Sequence, residues 1–169
     1  MNILFLLMPC ALIALGAETS YYLVEGIMKL PDGKQVGASV SIVKRSVDRD
    51  AGRIEETVLS LRGQEPAKEF ITWITPSTTK AAVTSPQGGV IGQATLSGPD
   101  WAWTKMVFTT TMQGLAIRVE GEDEFLPDSI KARKKIFNGE GKMQIQIEES
   151  GKSISSEVYK ILRTRLLAQ

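Results

Sequence analysis

The chain has 169 residues, with 20 basic side chains, 19 acidic side chains and no histidine. Its length suits a single domain, with or without a targeting segment, and allows a core that needs no disulfide or metal ion. Without histidine, Ser-His and Cys-His catalytic pairs, His-ligated zinc and His-ligated haem are excluded. The formal net charge of +1 gives no electrostatic basis for binding nucleic acid.

The N-terminal segment, residues 1–17, predicts a cleaved signal peptide. It carries no charged side chain, and its apolar run 3–13 is interrupted only by Pro9. Small residues follow, and cleavage is predicted after Gly16 or, as the alternative, after Ala17. The alternative is an uncleaved membrane anchor, which the run disfavours because it is shorter than the roughly 20 apolar residues of a spanning helix and contains a proline. No membrane span is expected after cleavage. We therefore expect an exported protein, periplasmic or extracellular.

The remaining residues, 18–169, predict one β domain. Short runs rich in β-type residues are separated by turn residues about every ten to twelve residues, a spacing typical of antiparallel barrels and sandwiches. The predicted strands are 21–30, 36–47, 53–62, 70–74, 80–84, 90–97, 101–112, 115–122, 130–137, 142–149 and 154–162. The apolar residues of 155–169 also fit one helical face. We predict a strand up to about Leu162, followed by a tail for which a helix is the alternative.

Three of these strands alternate in polarity with period two, which places one face on a core and the other in water. The first face consists of Leu115, Ile117 and Val119 in one strand, of Met143, Ile145 and Ile147 in another, and of Val36, Ala38, Val40 and Ile42 in the third. About ten strands that pair with their sequence neighbours cannot remain one flat sheet. The sequence therefore predicts an all-β fold, a single antiparallel up-and-down meander barrel of about 8–10 strands.

Residues 90–162 carry a series of features in a recognisable order. These are a Gly-rich strand (GVIGQATLSG), a Trp-rich strand (WAWTKMVF), the turn glycine Gly114, the run IKARKKIFNGEGKM and a final segment with Tyr159. This order resembles the small bacterial β-barrels of the calycin type, the lipocalin-like group. The resemblance implies a barrel fold and a possible internal cavity. The chain lacks the Gly-x-Trp start of true lipocalins and the axial histidine of haem-binding relatives, so no cofactor is expected.

The Trp-rich strand 101–112 supplies most of the candidate ligand-binding residues. Two orientations are open: either Met106, Phe108 and Met112 point inward, or Trp103, Lys105 and Val107 do. In the second orientation Lys105 would be a buried cation that requires an anionic ligand or a carboxylate partner. Methionines can line an adaptable apolar cavity, or they can simply fill the core. The candidate ligand-binding residues are Trp101, Trp103, Lys105, Met106, Phe108, Met112 and Met143.

Two charge clusters adjoin near the end of the predicted barrel. The acidic cluster is Glu120, Glu122, Asp123 and Glu124, and the basic cluster is Lys131, Arg133, Lys134 and Lys135. On a strand, alternate basic residues share one face opposite Ile130, Ala132 and Ile136. The basic cluster is interpreted as a solvated outer face, and a small anion-binding or acidic-partner patch is the alternative.

The sequence predicts a non-enzymatic barrel that binds a small apolar or amphipathic molecule in its interior. The only cysteine, Cys10, lies in the signal segment, so the mature chain has no cysteine nucleophile, thiolate metal site or disulfide. No catalytic residue, metal ion or nucleic-acid partner is expected. The alternative is an envelope or secreted interaction module that acts through its surface around a filled core. An enzyme would require Lys105 to meet a buried carboxylate or tyrosine in one cleft.

Overall fold

The computed structural model describes residues 17–62, 67–77, 80–98, 100–101, 104–112 and 116–168, with the side chains of Arg62 and Met112 left out. Of the predicted signal segment only Ala17 falls within these ranges. The predicted export signal therefore lies outside the described residues and stays a prediction.

Ten strands form one closed barrel in which each strand pairs antiparallel with the next along the chain, and β1 closes the barrel against β10. The strands are β1 Glu18–Lys29, β2 Gln35–Asp48, β3 Arg53–Arg62, β4 Lys68–Thr75, β5 Ala81–Thr84, β6 Val90–Ser97, β7 Lys105–Met112, β8 Ile117–Phe125, β9 Ser129–Phe137 and β10 Met143–Ser153. The predicted all-β, up-and-down antiparallel barrel is confirmed.

Glycines at the tips of the hairpins explain two of the tight turns. Gly33 has a φ of 86° and its N–H donates to the carbonyl of Leu30 at 2.9 Å. Gly141 has a φ of 76° and its N–H donates to the carbonyl of Asn138, also at 2.9 Å. Residues with a Cβ rarely adopt this left-handed conformation. The gaps between the predicted strands 21–30 and 36–47, and between 130–137 and 142–149, are therefore turns whose backbone favours glycine.

The C-terminal segment differs from the prediction. β10 runs straight through the turn predicted at residues 150–151, and the predicted strand up to Leu162 is wrong, because Ser156–Leu167 forms the helix α1. The barrel is already closed, so no strand edge remains for an eleventh strand to pair with. Among the described residues, no helix has the length and apolar character needed to cross a membrane.

Helix α1 covers part of the outer surface of the barrel. Tyr159 is buried against Ile42 of β2 and Leu59 of β3, and its ring centroid lies 4.9 Å from that of Tyr21. These outward apolar side chains would face water without the helix, so their burial stabilises the position of α1. The apolar residues of this segment, which fit both a strand and a helix, thus form the face of helix α1 that contacts the barrel.

Ser155 is the N-terminal capping residue of helix α1, and its contribution to the free energy of unfolding can be measured. The hydroxyl of Ser155 accepts a hydrogen bond from the backbone N–H of Val158 at 3.3 Å. Replacement of Ser155 by alanine is expected to lower the free energy of unfolding by about 1 kcal/mol. Urea denaturation followed by circular dichroism measures this change. Ser156→Ala, one residue further along, serves as the control, and an equal effect of both changes would contradict the capping role.

The sequence predicted that the apolar face of β2 points inward, but in the structure the opposite face lines the lumen. Ser39, Ser41 and Arg45 are buried on the lumen side, whereas Val36 and Val40 are exposed on the outer surface. Ile42 also points outward, but helix α1 covers it. The outer apolar residue is therefore buried by the helix, and a serine-rich face lines the lumen.

The two ends of the barrel are packed differently. We call the end where β2–β3, β4–β5, β6–β7 and β8–β9 connect the sealed end, and the opposite end the mouth. At the sealed end the inward apolar side chains are fully buried: Val47, Ile54, Ile74, Ala81, Val83, Ala94 and Met106 form one cluster. A second cluster continues toward the middle of the lumen and comprises Tyr22, Val24, Val43, Phe125 and Ile130. The lumen near the sealed end is thus packed with buried side chains, and a pocket of about 270 Å³, lined in part by Ala81, Leu96 and Trp101, lies at the β4–β5 and β6–β7 connections.

Candidate functional site

Charged side chains meet in the middle of the lumen, between the sealed end and the mouth. They are two cations and three carboxylates: Arg45, Lys134, Glu56, Asp123 and Glu149. Period-two alternation places each of them on the same face as inward apolar neighbours of its own strand. Among the described residues, no three His, Cys, Asp or Glu side chains come together as a metal site.

Arg45 crosses the lumen from β2 toward β8. Its side chain is only 1% exposed and forms an ion pair with Glu56, the residue directly opposite it on β3. The guanidinium also donates to the carbonyl of Trp101 at 3.0 Å and lies 3.9 Å from the ring centroid of Phe125. These contacts tie three parts of the barrel wall together beneath the central cavity.

A second ion pair lies between the neighbouring strands β9 and β10. The Nζ of Lys134 is 2.6 Å from Oε2 of Glu149. Burial alone would lower the pKa of Lys134, but the carboxylates of Asp123 and Glu149 outweigh burial and raise that pKa. Space for the Glu149 side chain comes from Gly26 on β1, where an added Cβ would lie 2.8 Å from Cγ of Glu149.

Asp123 is the carboxylate without a close cationic partner. It is 6% exposed, and its Oδ1 has no hydrogen-bond partner among the described residues. Burial raises the pKa of Asp123 to about 7; Lys134 and Arg45 oppose this rise, whereas Glu56 and Glu149 add to it. Asp123 faces a cavity of about 30 Å³ that Glu56, Lys134 and Glu149 also line. A space of that size holds a group about as large as one or two water molecules.

The mouth is lined by inward apolar side chains that remain partly exposed. Val119 of β8 lies between Thr110 of β7 and Ile136 of β9, which in turn lies opposite Ile145 of β10. All four are half-buried, and the ring of Phe70 on β4 is 40% exposed. The apolar lining of the barrel thus continues to the mouth, where side chains no longer cover it completely.

The orientation of β7 decides between the two sequence-based alternatives. Met106 is buried at the sealed end and Phe108 points inward, half-buried, with its ring over Gly121, where any Cβ would collide with it. Lys105 lies on the outer surface, 2.9 Å from Glu122, so the alternative that buries Lys105 is wrong. Val107 is 48% exposed on the same outer face.

The remaining candidate residues are dispersed. Trp101 is half-buried and packs against the sealed-end cluster. Met143 lies beyond a shift in register, opposite Phe137, whose ring packs under Arg118 on the outer face of the barrel. Trp103 and the side chain of Met112 lie outside the described residues. The structure thus brings together only Trp101, Met106 and Phe108, at and above the sealed end, and their contact with a ligand stays a prediction.

Sequence reasoning missed the charged residues of the lumen, although a signal for some of them was present. Lys131, Arg133 and Lys135 are exposed on the outer surface, in agreement with a solvated basic face. Lys134 is in phase with the apolar residues of the same strand, and Asp123 is in phase with Val119 and Phe125. If each charged residue had been assigned to a face by its position along the strand, instead of by its charge cluster, both Lys134 and Asp123 would have been placed in the lumen.

Comparison with known proteins supports the fold alone. No family model matches the chain, and no curated protein matches its sequence. The chain is similar to a solved protein of unknown function of the DUF3598 family from Nostoc punctiforme PCC 73102, with a TM-score of 0.56 and 11% identity over 79% of this chain and 46% of that chain. It therefore spans less than half the length of that protein.

A second solved structure, the S-type phycobiliprotein lyase from Guillardia theta, has a TM-score of 0.47 and 11% identity, covering 80% of this chain and 86% of that one. At 11% identity neither comparison is informative about a ligand or a reaction. The first of them supports a shared barrel fold, and membership of the calycin group stays a prediction.

Proposed function

We propose that this protein is an exported, non-enzymatic barrel that binds a small apolar or amphipathic molecule through its mouth. The observation that carries the proposal is the unequal packing of the two ends. Near the sealed end the inward apolar side chains form a buried cluster, whereas inward apolar groups at the mouth, including Val119, Ile136 and Phe70, stay in partial contact with water.

Partly exposed apolar groups that face inward favour an apolar ligand. Each square ångström of apolar surface removed from water stabilises the bound state by roughly 25 cal/mol. The central cavity, about 30 Å³, is too small for the apolar part of a molecule. The apolar part of the ligand therefore lies in the mouth, above the level of the charged residues.

The same dimensions favour binding over catalysis. A carboxyl with a raised pKa, such as that of Asp123, is also a feature of catalytic acids. A reacting group has to lie beside such a carboxyl, and the space of about 30 Å³ beside Asp123 is too small for the reacting part of a substrate. The narrow space beside Asp123 is suited to holding a small polar group of a bound ligand.

A pair of tryptophan substitutions tests this function. Val119→Trp places a large ring in the mouth, and Val107→Trp places the same ring on the exposed outer face of the neighbouring strand. We expect native mass spectrometry of protein purified from its own host to show a bound small molecule in the wild type and in Val107→Trp. We also expect Val119→Trp to weaken binding of the neutral probe Nile red by about tenfold or more. Equal probe binding by all three proteins would contradict the proposal.

A surface-acting module is the second candidate, and the outer face of β1 and β2 favours it. Ile27, Val36 and Val40 are exposed there, close to the mouth. This function requires that Ile27→Asp reduces complexes cross-linked in the host, while Val119→Trp leaves them unchanged. The reverse pattern would favour the ligand-binding function.

A further inference from the structure

The charges in the middle of the lumen do not balance. Arg45 is paired with Glu56, and Lys134 is paired with Glu149, which leaves the carboxyl of Asp123 without an ion pair among the described residues, although the charge of Lys134 acts on it. A buried carboxylate without a partner is strongly unfavourable. One positive charge would complete the set.

The geometry around Asp123 indicates where that charge would lie. Its Oδ1 is buried and has no partner among the described residues, although the side chain lines the central cavity together with Glu56 and Glu149. A donor placed in this cavity would lie beside Asp123, while the other charged side chains that line the space, Glu56, Glu149 and Lys134, already have ion-pair partners. Charge-assisted hydrogen bonds to carboxylates are about twice as strong as neutral ones.

The size of the cavity limits the group that can enter. About 30 Å³ accommodates a group of the size of a water molecule, and a primary ammonium is of that size and carries three donors. A trimethylammonium group is much larger and has no donor. The space therefore selects a primary ammonium among the common organic cations.

The distance from the mouth to Asp123 is short, and the ammonium of Lys134, opposite Gly121 and paired with Glu149, lies beside the path. Val119 and Asp123 are four residues apart on β8, which corresponds to about 13 Å along a strand. Between them lies Gly121, and the half-buried ring of Phe108 rests on it. A linear alkyl chain of medium length can span this distance once the Phe108 ring rotates aside.

We infer that the ligand of this barrel is a primary alkylammonium, with its ammonium group against Asp123 and its alkyl chain in the mouth. This inference rests on the proposed function, since it names the class of ligand that the mouth would hold. Without the ligand, protonation neutralises Asp123 at and below about pH 7. The charged groups that face it are Arg45, Glu56, Lys134 and Glu149.

The test compares four amphiphiles with the same ten-carbon chain, each below its micelle-forming concentration, by isothermal titration calorimetry at pH 8. We expect decylammonium to bind at least about tenfold more tightly than decanol, decanoate and decyltrimethylammonium. In Asp123→Asn this preference is expected to disappear. Glu122→Gln, which removes one negative charge from the outer face of the same strand, is expected to retain it.

The outcomes separate the two proposals. Equal binding of decylammonium and decanol, or an unchanged preference in Asp123→Asn, overturns the ammonium inference and leaves the proposed ligand-binding function standing. Tighter binding of decanoate than of decylammonium likewise overturns the inference alone. Absence of binding by all four probes contradicts the proposed function itself, and the inference falls with it.

Discussion

Replacement of Arg45 by methionine is expected to lower the free energy of unfolding by about 3–5 kcal/mol. The guanidinium is fully buried, and its removal leaves the carboxylate of Glu56 in the lumen without its cation. The substitution also removes the hydrogen bond to the carbonyl of Trp101 and the contact with the ring of Phe125. A loss of this size is a large part of the stability of a typical domain, about 5–15 kcal/mol.

A double variant separates the ion pair from its surroundings. In Arg45→Met/Glu56→Leu both charges are replaced by apolar side chains of similar volume, which is often neutral or stabilising in protein interiors. We therefore expect the double variant to recover most of the stability that Arg45→Met loses. Urea denaturation at constant pH, followed by circular dichroism, measures the wild type, Arg45→Met, Glu56→Leu and the double variant. Additive losses would show that Arg45 and Glu56 act independently.

The neighbouring residue provides the matched control. Lys44 precedes Arg45, points to the outer surface and lies 3.8 Å from Glu55 in a partly exposed ion pair. Exposed pairs of this kind contribute at most about 1 kcal/mol. Lys44→Met is therefore expected to change the unfolding free energy by much less than Arg45→Met, although both remove one positive charge from the same strand.

Replacement of Asp123 by asparagine is expected to stabilise the protein above pH 7. Burial raises the pKa of this carboxyl from 3.8 to about 7, so the folded chain holds its proton more tightly than the unfolded chain. Stability that depends on the protonated form is fully present below about pH 4 and is lost as the pH rises to about 7. Each pKa unit corresponds to about 1.4 kcal/mol, so the loss amounts to as much as about 4 kcal/mol.

Asparagine has no charge to lose, so Asp123→Asn escapes this loss. We expect similar unfolding free energies for the wild type and the variant near pH 4, and a higher value for the variant at pH 8. Urea denaturation at a series of pH values measures the difference between them. Glu122→Gln is expected to show little pH-dependent difference, because its carboxylate is exposed on the outer face. A constant difference between Asp123→Asn and the wild type across this range would refute the titration of Asp123.

The substitution Asp123→Asn is expected to have two opposite effects: it raises the stability of the ligand-free barrel and removes the preference for the ammonium ligand. The carboxylate destabilises the ligand-free barrel at neutral and higher pH, yet the inferred ammonium ligand requires it. Binding sites commonly retain groups that lower stability when a ligand satisfies them. A more stable Asp123→Asn variant that has lost its preference for decylammonium would connect both results to one buried group.

The strands and their closure into a barrel follow from local sequence patterns. Period-two alternation and turn residues are short-range features, and short connections force neighbouring strands to pair. The turns that contain Gly33 and Gly141 matched real hairpins for the same reason, whereas the turn predicted at residues 150–151 is part of β10. The C-terminal segment was ambiguous because its apolar residues fit both a strand and a helix, and only barrel closure decided in favour of α1.

The face of each strand that lines the lumen depended on tertiary contacts. In β2 the isoleucine Ile42 points outward, and it is buried only because Tyr159 of helix α1 packs on it. Alternation along one strand cannot report a helix that arrives from more than a hundred residues away. The inward orientation of Ser41 and Arg45 on the same strand is a consequence of that packing.

The charged lumen is likewise a result of register and closure. The sequence by itself placed Lys134 and Glu149 on strands and ended the preceding strand at residue 122, just before Asp123, but it did not predict that three neighbouring strands would bring these residues together. Cross-strand partners are set by hydrogen-bond pairing over the whole sheet, and the opposite wall is set by closure of the barrel. Sequence therefore determined the strands and their order, whereas tertiary structure decided which charges share the lumen, because only packing brings distant residues together.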